Sequence, residues 1–498
     1  MSVSKNVFAN LFGGLWITSM NLLFVPVYVR FLGIESYGLV GLFSTLLGVS
    51  TLLDLGLSST LNREVARLNS QDINRHDIRD LIRTFEVIYW SIGGVLGLVV
   101  ILASPLISNY WLTADTISIN TMQTTVSVMG IVIIFQWPQT VYLGALMGLE
   151  RQVQLNIISA ATATFRAVGA VALLKFVSPT VEMFFAWQVI ASLVHTLSLL
   201  AYLYLSLPKS SRAAKFNQAL LSRVWRFAAG VTGITFTVVI LTQADKVILS
   251  KMLALKDFAY YSLAYLVAMS LGKFMAPVFN ATYPRLANLI ALKDEEGLIN
   301  QYHASAQLIS LLVLAPAAVI TFFSYELLFL WTQDHDIAEK TFAIVSILVV
   351  GSALNGIMNI PYALQLASGW TSLTFRANII ACAILVPLII VLTDSLGVVG
   401  AAIVWVILNS GYVIFVITFM HKKLIPNEKK LWYWRDTGIP LVTAFSIAAI
   451  SRLLLPVTEG IYLISLTLTS VSLVTLAGTA IATPLSRRWL GQKMKLLK

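Results

Sequence analysis

The sequence predicts an all-α protein that crosses a membrane about fourteen times. Hydrophobic residues make up 58% of the 498-residue chain and charged residues only 11%, whereas an average soluble domain has about 25% charged residues. Apolar stretches recur along the whole chain, each long enough to cross a ~30 Å hydrocarbon core as a helix. The first stretch is longer than a signal-peptide core, so we expect it to be retained as a span.

The predicted spans follow these apolar stretches in order, with approximate limits. They cover residues 6–29, 39–60, 84–107, 122–147, 155–177, 183–206, 227–249, 259–282, 304–324, 341–365, 377–393, 398–420, 437–455 and 461–483. Residues such as Gly13, Gly14 and Pro138 do not exclude a helix, because membrane helices tolerate them where neighbours satisfy the freed backbone groups. They predict kinks.

The basic residues predict the orientation of the chain. Most of the 34 Lys and Arg residues fall on the side of the N-terminus, in alternate loops and in the tail. The positive-inside rule therefore predicts that both termini are cytoplasmic. The formal net charge of +11 is then explained by loops that face anionic membrane lipids, and no nucleic-acid partner is predicted.

A weak internal repeat predicts two similar halves. A shift of 221 residues places Arg30 on Lys251, and the order of spans and basic loops repeats. We predict two six-helix bundles around a central cavity, with two appended helices, an arrangement typical of alternating-access transporters. The predicted parts are a first bundle 1–206, a basic cytoplasmic linker 207–226, a second bundle 227–420, a basic cytoplasmic loop 421–436, a helix pair 437–483 and a basic tail 484–498.

Three cations are predicted to lie inside spans: Arg166, Lys246 and Lys273. An ionisable side chain at this depth costs about 2.5–3.5 kcal/mol on insertion scales, so each should face a bundle interior or a wet cavity. Together they predict a cationic cavity for an anionic substrate. For Arg166, pairing with Asp54 or Glu86 is the alternative.

Neighbouring polar residues refine this prediction. Asp245 points about 100° away from Lys246 on an ideal helix, so we do not expect these adjacent charges simply to neutralise each other. Lys273 and Asn280 are seven residues apart and should share one helix face. The alternatives are a near-interface pair for Lys246 and a lysine that reaches the membrane surface for Lys273.

Other polar side chains in the spans are candidates for sugar recognition or energy coupling. The sugar candidates are Asn21, Gln136, Gln139, Asn280, Asn355 and Asn359, with Tyr28, Thr140, Trp137, Trp187 and Trp405, although interhelical hydrogen bonds are the commoner role of such residues. The candidates for gating or for coupling to a proton or sodium gradient are Asp54, Glu86, Asp245 and His195.

No cofactor is predicted. The sequence has no GxxxxGK[ST] nucleotide-binding loop, and its one cysteine, Cys382, cannot form a disulfide framework or a Cys/His metal site.

Three short regions carry a family resemblance, the first of them in two pieces. YVRFLGIESYGLVGLFSTLLG with LLDLGLSSTLNREVARL (28–48 and 52–68), QADKVIL (243–249) and SLGVVGAAIVW (395–405) resemble Wzx-type polysaccharide flippases. These belong to the multidrug/oligosaccharidyl-lipid/polysaccharide (MOP) exporter superfamily, with lipid II flippases and MATE drug exporters. The resemblance implies a non-enzymatic flippase of the bacterial inner membrane.

The substrate implied by the resemblance is an undecaprenyl-pyrophosphate-linked oligosaccharide, moved from the cytoplasmic to the periplasmic leaflet. The partners implied are the polymerase and chain-length regulator of the same glycan pathway. Lys273 occupies a position where lipid II flippases have an arginine, Arg166 matches no family motif, and Asp54 belongs to the matching LLDLG stretch. The alternatives are a MATE-like multidrug or cation antiporter and an integral-membrane glycan polymerase or ligase.

Overall fold

The structure of the protein is a computed structural model. The structure describes the backbone of residues 3–54, 56–71, 75–207, 212–455 and 460–484, and side chains over slightly narrower ranges that leave out 219–235. Within these ranges the chain is helical and forms no β-strand. In hydrocarbon every backbone N–H and C=O group must be satisfied internally, and a helix does this within a single segment.

The chain divides into two compact units, Met1–Ala259 and Tyr260–Lys498. Unit 1 contains α1 (Val3–Leu32), α2 (Ile34–Ser50), α3 (Leu57–Gln71), α4 (Arg75–Leu106), α5 (Ile119–Gln136), α6 (Gln139–Gly148), α7 (Gln152–Phe176), α8 (Val181–Ser206) and α9 (Gln218–Met252). Within it, α1 packs on α7, α4 and α8 on α5, α7 on α8, and α9 on α2 and α3. The helix α10 (Leu255–Ser270) begins in unit 1 and ends in unit 2.

Unit 2 is built around one long central helix. Its helices after α10 are α11 (Gly272–Ala291), α12 (Glu295–Phe322), α13 (Ser324–Thr332), α14 (His335–Ile357), α15 (Asn359–Ala367), α16 (Thr371–Leu396), α17 (Val398–Gly411), α18 (Ile417–Leu424), α19 (Lys429–Leu431), α20 (Ile439–Leu454) and α21 (Ile461–Ala482). The central helix, α12, packs against α11, α14, α20 and α21, while α17 packs against α14 and α16.

Two π-helical turns interrupt the second unit. Tyr412–Val416 joins α17 to α18, and Trp432–Gly438 joins α19 to α20. Such turns hold an extra residue and are frequent at functional sites.

The described residues contain thirteen helical segments long and apolar enough to cross a membrane. They correspond to thirteen of the fourteen predicted spans, which confirms an all-α multi-pass membrane protein. The remaining prediction, 227–249, lies in α9, partly outside the described side chains. The predicted second span, 39–60, is shifted, because the segment runs Ile34–Asp54 between Gly33 and Gly56, whose φ angles are 80° and 75°.

The domain limits and the orientation stay predictions. Most of the predicted tail, residues 485–498, lies outside the described residues, as do residues 208–211 of the predicted linker. The described part of that linker is bound to α4: Arg212 pairs with Asp80, and the Lys215 N–H donates to the same carboxylate at 2.9 Å.

Candidate functional site

Arg166 lies near the middle of α7, against α8. Its Nη2 donates a hydrogen bond to the Ser192 hydroxyl at 3.2 Å, and Trp187 Nε1 donates to the Arg166 carbonyl oxygen at 2.9 Å. The Trp187 ring packs on Gly169, where an added Cβ would lie 2.0 Å from the ring. The missing side chain at Gly169 therefore lets α8 approach α7 closely enough to hold Arg166.

Further polar groups surround this arginine. His195 follows Ser192 by one turn of α8, and its Nε2 is buried without a hydrogen-bond partner among the described residues. Gln139 Nε2 donates to the Ser192 carbonyl at 3.2 Å, and the Tyr28 hydroxyl donates to a main-chain carbonyl of α7 at 3.5 Å. We call Arg166, Ser192, His195, Gln139 and Tyr28 the Arg166 cluster.

No carboxylate in the described part of the chain pairs with Arg166. Asp54, one predicted alternative partner, instead accepts hydrogen bonds from Ser58 at 2.8 Å and from Tyr89. A guanidinium at membrane depth is stable only where water, hydrogen-bond acceptors or an anion offset its desolvation. The Arg166 cluster supplies acceptors but no negative charge.

Glu86, the other alternative partner, is also bound elsewhere. Its side chain is 3% exposed, and its Oε2 accepts from Tyr204 at 2.7 Å and lies 3.3 Å from Arg83 Nη1. Its Oε1 is buried with no hydrogen-bond partner among the described residues. Asp54 and Glu86 therefore lie at separate places in unit 1, and each accepts hydrogen bonds from different donors.

The expectation that Lys246 and Asp245 would not neutralise each other is wrong. Lys246 Nζ lies 3.3 Å from Asp245 Oδ1 and also donates to the Thr242 carbonyl oxygen one turn earlier. The flexible four-carbon side chain of lysine bends back along the helix, so different Cα–Cβ directions do not keep the charges apart. Lys246 is 6% exposed, and its role in binding substrate stays a prediction.

Lys273 and Asn280 lie two turns apart on α11, in unit 2, and both are exposed. Asn21, on α1, is exposed as well. None of the three has a hydrogen-bond partner within the described ranges, so their polar groups are free to meet a ligand. Their assignment to substrate binding is still a prediction.

Several sugar candidates form hydrogen bonds between helices. Asn355 Nδ2 donates to Asn409 at 3.0 Å, and Asn359 Nδ2 donates to the Asn355 carbonyl at 3.2 Å. Trp405 Nε1 donates to Ser352 at 3.2 Å. These three side chains therefore have hydrogen-bond partners within unit 2, which gives them a structural role in its packing.

The remaining candidates lie in unit 1. Trp137 stacks on Tyr89 with ring centroids 4.7 Å apart, and Thr140 is half-buried near the break at Pro138. Gln136 differs from its neighbours, since its Oε1 is buried without a partner in the described residues.

Sequence reasoning missed a buried ionic cluster in unit 2. His303 is hydrogen-bonded through Nδ1 to Asp436 and through Nε2 to Glu428, the latter at 2.8 Å. Gln307 Nε2 and Arg435 Nε also donate to Asp436, at 2.8 and 3.2 Å. We call these five residues the His303 cluster. They come from two regions that are more than 100 residues apart in the sequence, 303–307 and 428–436. Only the polar residues at the ends of two apolar stretches could have indicated them.

Comparisons with known proteins agree with this fold. The family model described as polysaccharide biosynthesis protein matches residues 3–290, more than half of the chain, and the MatE model matches 232–391. A Shigella flexneri protein named as a candidate O-antigen transporter is 25% identical over 409 residues, covering 81% of this chain and 94% of that protein.

Two solved structures share the fold. The lipid II flippase MurJ, in an inward closed conformation, has a TM-score of 0.74 and 13% identity, covering 96% of this chain and 98% of that chain. An inward-facing multidrug resistance MATE family transporter of the MOP superfamily has a TM-score of 0.60 and 15% identity, covering 85% of this chain and 96% of that chain.

Fold and comparisons together define a multi-pass membrane transporter of the MOP superfamily. The chain belongs to the polysaccharide biosynthesis protein family. The relatives reported above are named as transporters and a flippase, and none of these names describes a polymerase or ligase.

Proposed function

We propose that the protein moves an undecaprenyl-pyrophosphate-linked oligosaccharide from the cytoplasmic to the periplasmic leaflet by alternating access. The cargo is a repeat unit of O-antigen, capsule or exopolysaccharide. The name of the Shigella flexneri relative and the MurJ-like fold support a lipid-linked glycan as the substrate class.

Arg166 carries the proposal. It is a guanidinium midway along a membrane helix, bound to a hydroxyl and to no carboxylate of the described chain. A diphosphate cannot enter hydrocarbon without hydrogen-bond donors and positive charge. Arginine matches phosphate oxygens with its fork of N–H donors, and the bond is strengthened by charge on both partners. Lys273 is proposed as a further cation of the path, and so is Lys246, whose charge would act there once it is released from Asp245.

Sugar contacts are proposed for the amides whose polar groups are free. Asn21 and Asn280 are exposed and have no partner in the described ranges, and Gln136 has a partnerless buried oxygen. Gln139, Asn355 and Asn359 are weaker candidates, because forming a sugar contact would break hydrogen bonds that already join helices.

The test compares two cations of the same helix. Arg166→Gln removes the charge and leaves a shorter, neutral side chain that can still donate hydrogen bonds. Lys175→Gln likewise removes a charge at the end of α7, where Lys175 Nζ lies 5.3 Å from the Phe176 ring centroid. Each variant is expressed in a flippase-deficient bacterial strain, and surface glycan is measured against the amount of protein in the membrane. We expect R166Q to lower export about tenfold or more, the equivalent of about 1.4 kcal/mol or more, and K175Q to leave it unchanged. Full export by R166Q at equal protein level would contradict the role of Arg166.

The second candidate function is a MATE-like exporter of cations or drugs. The MatE match and the MATE-like fold favour it. A cationic cargo needs free acids in its path, whereas Asp54 is held by two hydroxyl donors and Glu86 by Arg83 and Tyr204. Drug resistance conferred on an exporter-deficient strain, without glycan export, would establish this alternative.

Ion coupling is also part of the proposal. Glu86 and His195 each have one buried atom without a partner in the described chain, so each can take up or release a proton without breaking a hydrogen bond at that atom. Export in vesicles under an imposed proton gradient, compared with a sodium gradient, decides between the two ions. Cross-linking in cells tests the proposed polymerase and chain-length-regulator partners.

A further inference from the structure

A long apolar groove runs along the surface of unit 2. Its volume is about 530 Å³, and it lies between α16 on one side and α17, the Tyr412–Val416 π turn and α18 on the other. We call it the α16–α17 groove. Among its sixteen lining residues only Arg376 and Tyr412 have polar side-chain atoms. The Tyr412 hydroxyl is already bound, since it donates to Asn378 Oδ1 at 2.6 Å.

The groove is open and its walls are exposed. Ile384 and Phe415, on opposite walls, are 59% and 63% exposed. Gly411 lies between them on the α17 side, and an added Cβ there would meet nothing within 4 Å. These walls belong to membrane-spanning helices and so face bilayer hydrocarbon, and the groove between them has room for an apolar chain.

One end of the groove is basic. Arg376 is exposed and has no carboxylate or other partner in the described part of the chain. Lys422 and Lys423 are exposed at the end of α18, and Lys423 Nζ lies 4.1 Å from the centroid of Trp370, next to the start of α16. The charge at this end is therefore complementary to a phosphate group, and it lies on the side that we predict to be cytoplasmic.

The length of the groove favours one kind of lipid. Lining residues extend from Leu373 to Leu388 on α16, which is about 22 Å at about 1.5 Å per residue. One leaflet of a ~30 Å hydrocarbon core is about 15 Å thick, and a typical tilt of about 20° shortens the groove only to about 21 Å. A phospholipid acyl chain, confined to its own leaflet, would leave part of the groove empty, whereas a longer polyprenyl chain would fill it.

We propose that the α16–α17 groove binds the polyprenyl tail of the substrate, with Arg376 bound to its diphosphate. This inference rests on the proposed function and adds to it a docking site for the lipid. The tail only exchanges bilayer hydrocarbon for the apolar wall of the groove, so this transfer alone adds little affinity. Affinity and selectivity therefore come from Arg376 at the end of the groove and from the length of the groove.

The test measures lipid binding by the purified full-length protein. The probe is undecaprenyl diphosphate, the competitor is phosphatidylglycerol, and bound lipid is counted by native mass spectrometry. Arg376→Gln removes the cation, and Gly411→Phe fills the groove at a position with free space. Val391→Phe is the matched control, because Val391 is 61% exposed on α16 and does not line the groove.

We expect R376Q and G411F each to weaken binding of undecaprenyl diphosphate about tenfold or more, the equivalent of about 1.4 kcal/mol or more, and V391F to bind like the unmodified protein. Unchanged binding by both groove variants would overturn the proposal, and so would equal competition by phosphatidylglycerol. Glycan export by the unmodified chain is measured in parallel. If the unmodified chain exports glycan but both groove variants bind the lipid normally, the groove proposal alone is refuted. If the unmodified chain does not export glycan, the proposed function is refuted.

Discussion

Replacing His303 with leucine should destabilise unit 2, because two acids would lose their shared partner. Asp436 is fully buried, and Glu428 has its Oε2 2.8 Å from the His303 ring. Removing one member of a buried charged pair costs about 3–5 kcal/mol. Gln307 and Arg435 still donate to Asp436, so we expect the lower limit, about 3 kcal/mol. For a unit of this size that loss lowers the unfolding temperature by roughly 6–12 °C.

The assay is thermal unfolding of the purified protein in detergent, followed by intrinsic tryptophan fluorescence. His335→Leu is the matched control, because His335 is an exposed histidine of the same unit. The double variant H303L/D436N should recover part of the loss, since the uncompensated charge is removed along with the histidine. An unfolding temperature for H303L equal to that of H335L, or no recovery in the double variant, would refute the reasoning.

Two further predictions use matched pairs. Gly400→Ala should lower the unfolding temperature markedly, because the added Cβ would lie 1.9 Å from the Leu392 carbonyl oxygen. Gly411→Ala should have little effect, because an added Cβ there meets nothing within 4 Å. Equal unfolding temperatures for the two variants would contradict the packing described. Lys273→Ala should leave the protein level in the membrane unchanged but lower glycan export severalfold, because this exposed cation has no partner in the described chain. The control is Lys340→Ala, which removes an exposed i,i+4 ion pair and should leave export intact. Normal export by K273A would remove Lys273 from the proposed path.

The spans were predictable because hydrocarbon imposes a local rule. Any segment that crosses the core must be helical, apolar and about 20 residues long, and each of these properties can be recognised without knowing the neighbours. The error in the second span has the same local origin. Gly33 and Gly56 each adopt a positive φ and set the limits of the segment, but the sequence also allowed a helix that begins later.

The candidate site was predictable only as a set of residue types. Arg166 was identified by the cost of a charge at its depth, yet Ser192 and Trp187, which hold it, were not chosen as its partners. Lys246 shows the limit of reasoning from an ideal helix, because the flexibility of its side chain decides where its charge lies.

The sequence by itself determined that this protein is a multi-pass helical membrane protein, and its motifs indicated the flippase family. Only the tertiary structure decided which polar groups pair, how His303 joins Asp436 and Glu428, and where α16 and α17 leave an apolar groove with Arg376 at its end. Span formation depends on the composition of each segment alone. Hydrogen bonds and grooves depend on the distance between helices that are remote in sequence, and that distance is set by side-chain packing throughout each unit.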